Sequence, residues 1–220
     1  MNPKVSRTII KNAIVGIISF ALILVLWYSR QDIGAEPRIW KALGDAAFIM
    51  LAYTLIIGPL AKINPKRFAK LLGWRKETGI WSAIIALSHG IAIQLLWFQF
   101  DIMKLLGYTL RNDTYILADP GMGLANLLGV TALFFMTLLL ATSSSYAISL
   151  LGSKAWKFLH MSAYLVFYLV AFHASYYMII QGAWNNWFSI PFLIIALLVI
   201  LLQATAFIIT VKKEKQKQAS

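Results

Sequence analysis

The sequence has 220 residues, of which 60% are apolar and only 13% are charged, and its mean hydropathy is +0.73. A soluble globular domain is typically about 45–50% apolar and about 25% charged, so this composition excludes a water-soluble fold and intrinsic disorder. The net charge of +12 does not indicate a nucleic-acid-binding arm, because the basic residues lie between long apolar runs. The chain contains no cysteine, which excludes disulfides, thiolate metal sites, iron–sulfur clusters and covalent haem attachment through C-x-x-C-H.

Six apolar runs each approach the roughly 20 residues that a helix needs to cross a bilayer. They lie near Asn12–Tyr28, Ala42–Ala61, Gly79–Phe98, Gly121–Thr142, Trp156–Ile180 and Trp187–Val211. None shows the period-two alternation of a membrane β-barrel. We therefore predict an all-α polytopic membrane protein, with a six-helix bundle forming a single domain over residues 1–220. The polar tail, residues 212–220, is expected to fray.

The first run could also be the apolar part of a signal peptide. Such a segment follows basic residues, and Lys4, Arg7 and Lys11 precede this run. The run is long for such a segment, and the cleavage site that would follow it is weak. We therefore expect the first run to be a retained membrane helix.

The distribution of Lys and Arg predicts the orientation of the bundle. Fifteen of the twenty lie at the amino terminus, in the second and fourth loops and in the tail, whereas five lie in the remaining loops. Both termini are therefore expected on the cytoplasmic side. The basic loops fit this topology signal, and they would also suit docking of anionic lipid or of an acidic donor protein.

All three histidines, His89, His160 and His173, fall inside predicted spans. Ionisable residues within a bilayer are functional candidates by default, although a single one can simply hydrogen-bond to a neighbouring helix. Two neutral imidazoles on facing helices would suit haem iron and would favour electron transfer over oxygen binding. Zinc would need further ligands at a similar depth, whereas copper or a proton relay remains open.

The spacing of the two histidines in the fifth run separates their roles. Thirteen residues place His160 and His173 about 140° apart around an ideal helix and about 20 Å apart along it. One flat helix face cannot present both imidazoles. We therefore expect them to serve different cofactor positions, or the helix between them to be distorted.

Several short motifs in order carry a resemblance to a known family. They are Gly34–Pro37, Ile57–Ala61, Arg75 with Gly79 and His89, Thr142–Ser145, and Leu151–His160 followed by Tyr164 and His173. This set resembles the ferric-reductase-like transmembrane family over nearly the whole chain. Within that family it is most like the haem-binding membrane subunits of bacterial periplasmic methionine sulfoxide reductase systems, the MsrQ group, formerly YedZ.

The resemblance implies a set of cofactor residues. His89 and His173 would ligate one b-type haem in the outer half of the membrane, and His160 would ligate a second haem nearer the cytoplasm. Two-haem relatives carry another histidine fourteen residues before the position of His89, where this chain has Arg75. Because arginine stays protonated, Arg75 would either hold a haem propionate or act as one more topology residue. The resemblance also associates flavin mononucleotide (FMN) with the subfamily.

The expected activity is electron transfer, with no catalytic residue assigned. No G-x-G-x-x-G motif follows a predicted strand, and Gly121-Met-Gly123 lacks the third glycine. Electrons are therefore expected from quinol or a separate cytoplasmic flavin reductase. They would pass to an extracytoplasmic acceptor, such as a molybdenum-containing methionine sulfoxide reductase, across a bacterial cytoplasmic (inner) membrane. The alternatives are a transmembrane ferric (metal) reductase and, from another class, a non-redox transporter or assembly subunit.

Overall fold

The computed structural model describes residues 3–182 and 186–219, with side chains described from Ser6 onward. The side chain of Lys4, which contributed to the predicted orientation, lies outside this part. The elements are α1 (Pro3–Tyr28), α2 (Ala35–Ile63), α3 (Pro65–Phe68), a 3₁₀ segment (Ala69–Trp74), α4 (Arg75–Ile93), a π-helical turn (Gln94–Phe98), α5 (Ile102–Leu105), β1 (Tyr108–Arg111), β2 (Thr114–Leu117), α6 (Pro120–Ala141), α7 (Ser145–His160), α8 (Ser162–Ser175), a second π-helical turn (Tyr176–Ile180) and α9 (Ser189–Ala219).

Six helical stretches in the described ranges are long and apolar enough to cross a membrane. They are Ser6–Tyr28, Ala35–Ile63, Pro65–Phe98, Pro120–Ala141, Ser145–Ile180 and Ser189–Ala219. Their Leu, Ile and Phe side chains remain largely exposed on the outside of the bundle, as expected for helices whose outer faces meet lipid. The prediction of an all-α, multi-pass membrane protein with six spans is confirmed.

The helices extend beyond several of the apolar runs. Helix α9 continues to Ala219, so the prediction that the tail frays is wrong for residues 212–219. The physical reason is that Lys, Gln, Glu and Ala are strong helix formers, and Lys217 pairs with Glu214 at 3.2 Å along the helix. Ser220 lies outside the described residues.

The fifth span differs most from its predicted bounds. Helix begins at Ser145 and not near Trp156, because the Ser144 hydroxyl caps the amide of Ala147 at 3.0 Å. Lys154 and Lys157, which were predicted in a loop, therefore lie on α7. The chain bends inside α7 at Gly152, where φ is 75° and ψ is 151°. Between His160 and His173 the chain passes from α7 to α8 at Met161, whose backbone angles stay helical at φ −69° and ψ −20°, so the Gly152 bend lies before both histidines and not between them.

Helix α2 lies at the centre of the bundle and packs against α1, α4 and α9. Its apolar side chains Phe48, Leu51 and Leu55 are buried in the main core, together with residues of α6, α8 and α9. Small residues such as Ala46 and Ala52 let the neighbouring helices approach closely. The backbone of α2 faces α4, the helix that carries His89.

The longest loop, between the third and fourth spans, contains a β-hairpin that the sequence analysis did not predict. Strands β1 and β2 pair antiparallel, and both turn residues, Asn112 and Asp113, have positive φ angles of 46° and 60°. This is the backbone conformation of a two-residue type I′ turn, which Asn and Asp tolerate. The carbonyl of Gly107 accepts the amides of Ala118 and Asp119, both at 3.0 Å, so the hairpin base is tied to the start of α6.

Candidate cofactor site

The structure brings His89 on α4 and His173 on α8 together. Their imidazole centroids lie 6.5 Å apart, with an angle of 79° between the ring planes. Each histidine is followed within a few residues by one of the two π-helical turns, an irregularity that is frequent at functional sites. The juxtaposition joins two histidines that are more than eighty residues apart in the sequence.

Both imidazoles are oriented by backbone carbonyls. Nδ1 of His89 lies 2.7 Å from the carbonyl oxygen of Trp40, and Nδ1 of His173 lies 2.8 Å from that of Ala125. A carbonyl can only accept, so each Nδ1 carries the hydrogen and donates it. The lone pair of each neutral ring is then on Nε2, the arrangement that backbone carbonyls impose on metal-binding histidines.

A glycine accompanies each of these hydrogen bonds. Gly44 follows Trp40 by four residues on α2, and a Cβ placed there would lie 3.0 Å from Cε1 of His89. Gly129 follows Ala125 by four residues on α6, and a Cβ there would lie 2.8 Å from Nδ1 of His173. In a helix the side chain at position i+4 lies beside the carbonyl of residue i. Glycine at that position leaves room for the imidazole to reach the carbonyl.

His160 lies in a different environment. Its ring stacks on Trp156 with centroids 4.1 Å apart, and its Nε2 is 3.1 Å from the hydroxyl of Thr142. The Thr142 hydroxyl donates to the carbonyl of Leu138 at 2.7 Å, so it accepts from His160, whose Nε2 carries the hydrogen. His160 and His173 thus have different neighbours, and their assignment to different cofactor positions stays a prediction.

Arg75 begins α4 and lies against a glycine of α2. A Cβ on Gly58 would be 3.6 Å from Nη1 of Arg75. The guanidinium is exposed and lies within electrostatic reach of His160. Arg75 and His160 therefore mark one end of the bundle, and His89 and His173 mark a second position deeper in it.

A polar cluster next to His173 was not found from the sequence. The ring of Tyr177 lies 5.2 Å from that of His173, and its hydroxyl donates to Oδ1 of Asn126 at 2.5 Å. The Asn126 amide in turn donates to the carbonyl of Leu105 at 2.7 Å. The signal that could have found the cluster is Asn126 itself, a buried amide in an otherwise apolar run.

The neighbouring tyrosine continues this cluster toward the loop. The Tyr176 hydroxyl donates to Asp119 at 2.5 Å, and Asp119 also caps α6 by accepting the amide of Met122 at 2.8 Å. These two hydrogen bonds lower the pKa of the Asp119 carboxyl below its ordinary value, because they stabilise its charged form. The end of the fifth span is thereby fixed to the start of the fourth.

A buried ion pair lies on the other side of α2. The Arg30 guanidinium bonds to the Asp45 carboxylate, and the two side chains are only 3% and 5% exposed. Arg30 also donates to the carbonyl of Leu26 at 3.0 Å and lies 5.3 Å above the ring of Trp187. Asp45 follows Gly44 in α2. The ion pair therefore fixes the segment of α2 that contacts and orients His89.

The arrangement fits a planar cofactor whose metal binds two imidazoles. Two rings whose nitrogens share one metal ion at about 2 Å each have centroids about 6 Å apart, close to the 6.5 Å observed. Both Nε2 atoms keep their lone pairs. Among the described residues, no group of three or more His, Cys, Asp or Glu side chains could hold a bare ion. Two neutral imidazoles with free Nε2 lone pairs suit a haem iron.

Comparison with known proteins decides the family. Residues 43–171 match the family model described as the ferric reductase like transmembrane component. The chain belongs to this family. The matched region includes Arg75, His89 and His160, whereas His173 lies two residues beyond its end.

Two of the relatives are haem-binding MsrQ subunits. The haem-binding subunit MsrQ of a protein-methionine-sulfoxide reductase from Enterobacter sp. is 31% identical over 157 residues, covering 69% of this chain and 71% of that protein. The corresponding MsrQ subunit of Polaromonas naphthalenivorans is 27% identical over 192 residues, covering 84% and 78%.

A third relative is much longer than this chain. The magnetosome protein MamZ of Paramagnetospirillum magneticum is 28% identical over 150 residues, which is 67% of this chain. The matched region spans only about a fifth, 21%, of MamZ. This chain therefore matches relatives of similar length and also a part of a larger protein.

Proposed function

We propose that this chain is a haem b-containing membrane electron-transfer subunit. The observation that carries the proposal is the His89–His173 pair, in which two carbonyls orient both rings and leave both Nε2 atoms available. The names of the MsrQ relatives, which are haem-binding subunits, support the same ligand.

Each candidate residue has a defined role in this proposal. His89 and His173 would hold one haem by its iron. When bound, haem supplies an iron centre that gains and loses single electrons. His160 would serve a second haem nearer the cytoplasmic side, after exchanging its hydrogen bond to Thr142, and Arg75 would hold a propionate there. FMN is a further cofactor in the proposal, and it rests on the family resemblance alone.

The direction of transfer follows from the proposed orientation. With the fifteen basic residues on the cytoplasmic side of a bacterial inner membrane, quinol or a cytoplasmic flavin reductase would be the donor. The acceptor would be an extracytoplasmic oxidoreductase. The names of the MsrQ relatives support a methionine sulfoxide reductase catalytic subunit, which in this proposal contains molybdenum.

The test is electron transfer across a sealed membrane. The purified chain is reconstituted with haem into vesicles, a quinol or a flavin reductase with its reduced nicotinamide is supplied on one side, and a membrane-impermeant oxidant is enclosed on the other. We expect consumption of the oxidant to require the protein and to be lost in His173→Ala. Equal rates with wild-type and His173→Ala vesicles would contradict the proposal.

Ferric reduction is the second candidate, and the description of the family model favours it. The same vesicles test it when the enclosed oxidant is a ferric chelate in one sample and an oxidised methionine sulfoxide reductase subunit in another. Rapid reduction of the chelate, with slow reduction of a methionine sulfoxide reductase subunit, would favour this alternative over the first.

A further inference from the structure

A cleft of about 490 Å³ lies between the start of α1 and the 3₁₀ segment, far in sequence from the histidine pair. Its α1 wall is formed by residues spaced three and four apart, Ser6, Arg7, Ile10, Lys11 and Ile14, and the opposite wall by Lys70, Gly73 and Trp74. This spacing places the five α1 residues on one helix face. The cleft is therefore a surface shared by two elements and not a patch on one helix.

The chemistry of the cleft changes along α1. Arg7, Lys11 and Lys70 line it together with Ile10 and Ile14, which are 55% and 40% exposed; Arg7 comes first along α1 and Ile14, which continues into the span, comes last. From Arg7 to Ile14 the helix rises about 10 Å. A phospholipid could place its anionic phosphate at the Arg7 end and an apolar chain toward Ile14.

Lys11 shapes the cleft from its inner wall. Its ammonium donates to the carbonyl of Gly73 and lies 5.2 Å from the ring of Trp74. These contacts join α1 to the 3₁₀ segment and fix one positive charge beside the cleft. Within the described part of the chain, Arg7 and Lys70 form no ion pair with a carboxylate, so their charges are not neutralised by the protein.

From this combination we infer that the cleft binds one anionic phospholipid, with its phosphate between Arg7 and Lys70 and an acyl chain along Ile10 and Ile14. Basic pockets between helices on the cytoplasmic side are suited to such headgroups. Three cations disfavour a neutral ligand such as quinol at this position. The inference does not depend on the haem site.

The experiment uses the full chain in a mild non-ionic detergent, titrated with phosphatidylglycerol or with phosphatidylcholine. Bound lipid is counted by native mass spectrometry, and the thermal unfolding midpoint is recorded in parallel. We expect one phosphatidylglycerol to bind and raise the midpoint, with much weaker binding of phosphatidylcholine. The double variant Arg7→Gln/Lys70→Gln should weaken phosphatidylglycerol binding by roughly tenfold or more, since each basic residue near an anionic surface contributes about fivefold.

Two further variants distinguish lipid binding in the cleft from nonspecific electrostatic attraction of anionic lipid. Lys213→Gln/Lys215→Gln removes the same charge from the exposed end of α9 and should leave binding unchanged. Ile10→Trp keeps every charge but fills the apolar part of the cleft, and it should weaken lipid binding. It also serves as the test if the Arg7 and Lys70 variant does not fold.

Several outcomes would overturn the inference. Equal binding of the two lipids, an equal loss in the α9 variant, or no effect of Ile10→Trp would each show that no lipid cleft exists. Inorganic phosphate or FMN is added as a competitor in a separate arm. If either displaces phosphatidylglycerol at low millimolar concentration, the cleft is a site for a soluble phosphate and the lipid assignment is wrong.

Discussion

Nδ1 of His173 lies 2.8 Å from the carbonyl oxygen of Ala125. The same relationship joins His89 to Trp40 at 2.7 Å. In each case a glycine four residues after the carbonyl faces the imidazole. Two helices that do not carry the histidines thus fix both ring orientations, and each does so with a carbonyl and a glycine.

The glycines can be tested directly. A Cβ at position 129 would lie 2.8 Å from Nδ1 of His173, too close for the ring to remain in place. We expect Gly129→Val to weaken haem binding by at least about tenfold, or about 1.4 kcal/mol, as measured by haem titration of the apoprotein. Gly79→Ala is the control, because a Cβ there meets only Thr54 at an ordinary 3.5 Å. Equal haem affinity in the Gly129 variant and the wild type would contradict this role.

The hydrogen bond between Tyr177 and Asn126 is expected to stabilise the end of the fifth span. Tyr177→Phe keeps the ring beside His173 but leaves the buried amide oxygen of Asn126 without its donor. An unsatisfied buried acceptor costs about 1–3 kcal/mol, so the thermal unfolding midpoint should fall by several degrees. Tyr168→Phe, at a ring that is 48% exposed, should leave the midpoint unchanged. A similar midpoint for both variants would show that the bond contributes nothing.

The buried Arg30–Asp45 pair is expected to stabilise the position of α2 against α1. Asp45→Ala leaves the Arg30 charge buried without its partner, and such a change costs about 3–5 kcal/mol. Replacing both residues, as Arg30→Met/Asp45→Leu, should recover most of this loss because neither charge remains. Unfolding free energies in detergent complete the cycle. An additive double variant would mean that the two side chains are not coupled.

Protonation of Asp119 is expected to lower the stability of the folded chain at acidic pH. Its pKa is lowered in the folded chain by the bonds from Tyr176 and Met122, so its contribution to stability is complete above the ordinary aspartate pKa of 3.8. The contribution is lost as the pH falls through the lowered folded-state value. We expect Asp119→Asn to reduce the slope of the unfolding midpoint between about pH 5 and pH 3. An unchanged slope would assign the acid sensitivity to other carboxylates.

The sequence was sufficient for the six spans and for the three histidines, because a bilayer requires long apolar runs and makes ionisable side chains conspicuous. The residues alone could not show which fifth-span histidine faces His89, and only the family resemblance implied His173. The room that Gly44 and Gly129 leave for the two rings is visible only when the helices are packed. The early start of α7 was missed because the Ser144 cap, not hydrophobicity, begins it.

The hairpin between the third and fourth spans was missed for a related reason. Its strands are four residues each, too short for a periodic pattern to stand out. The Asn112-Asp113 turn was the available local signal, and positive φ angles at both residues are what such a turn requires.

The central claim is that His89 and His173 hold one haem between them. The most direct measurement is the haem-to-protein ratio of the purified full chain, taken with a reduced-minus-oxidised absorption spectrum, for wild type and for His89→Ala, His173→Ala and His160→Ala. We expect low-spin haem in the wild type, its loss from the His89–His173 site in either of the first two variants, and retention of that haem in the His160 variant. A full complement of low-spin haem in His89→Ala or His173→Ala would contradict the account.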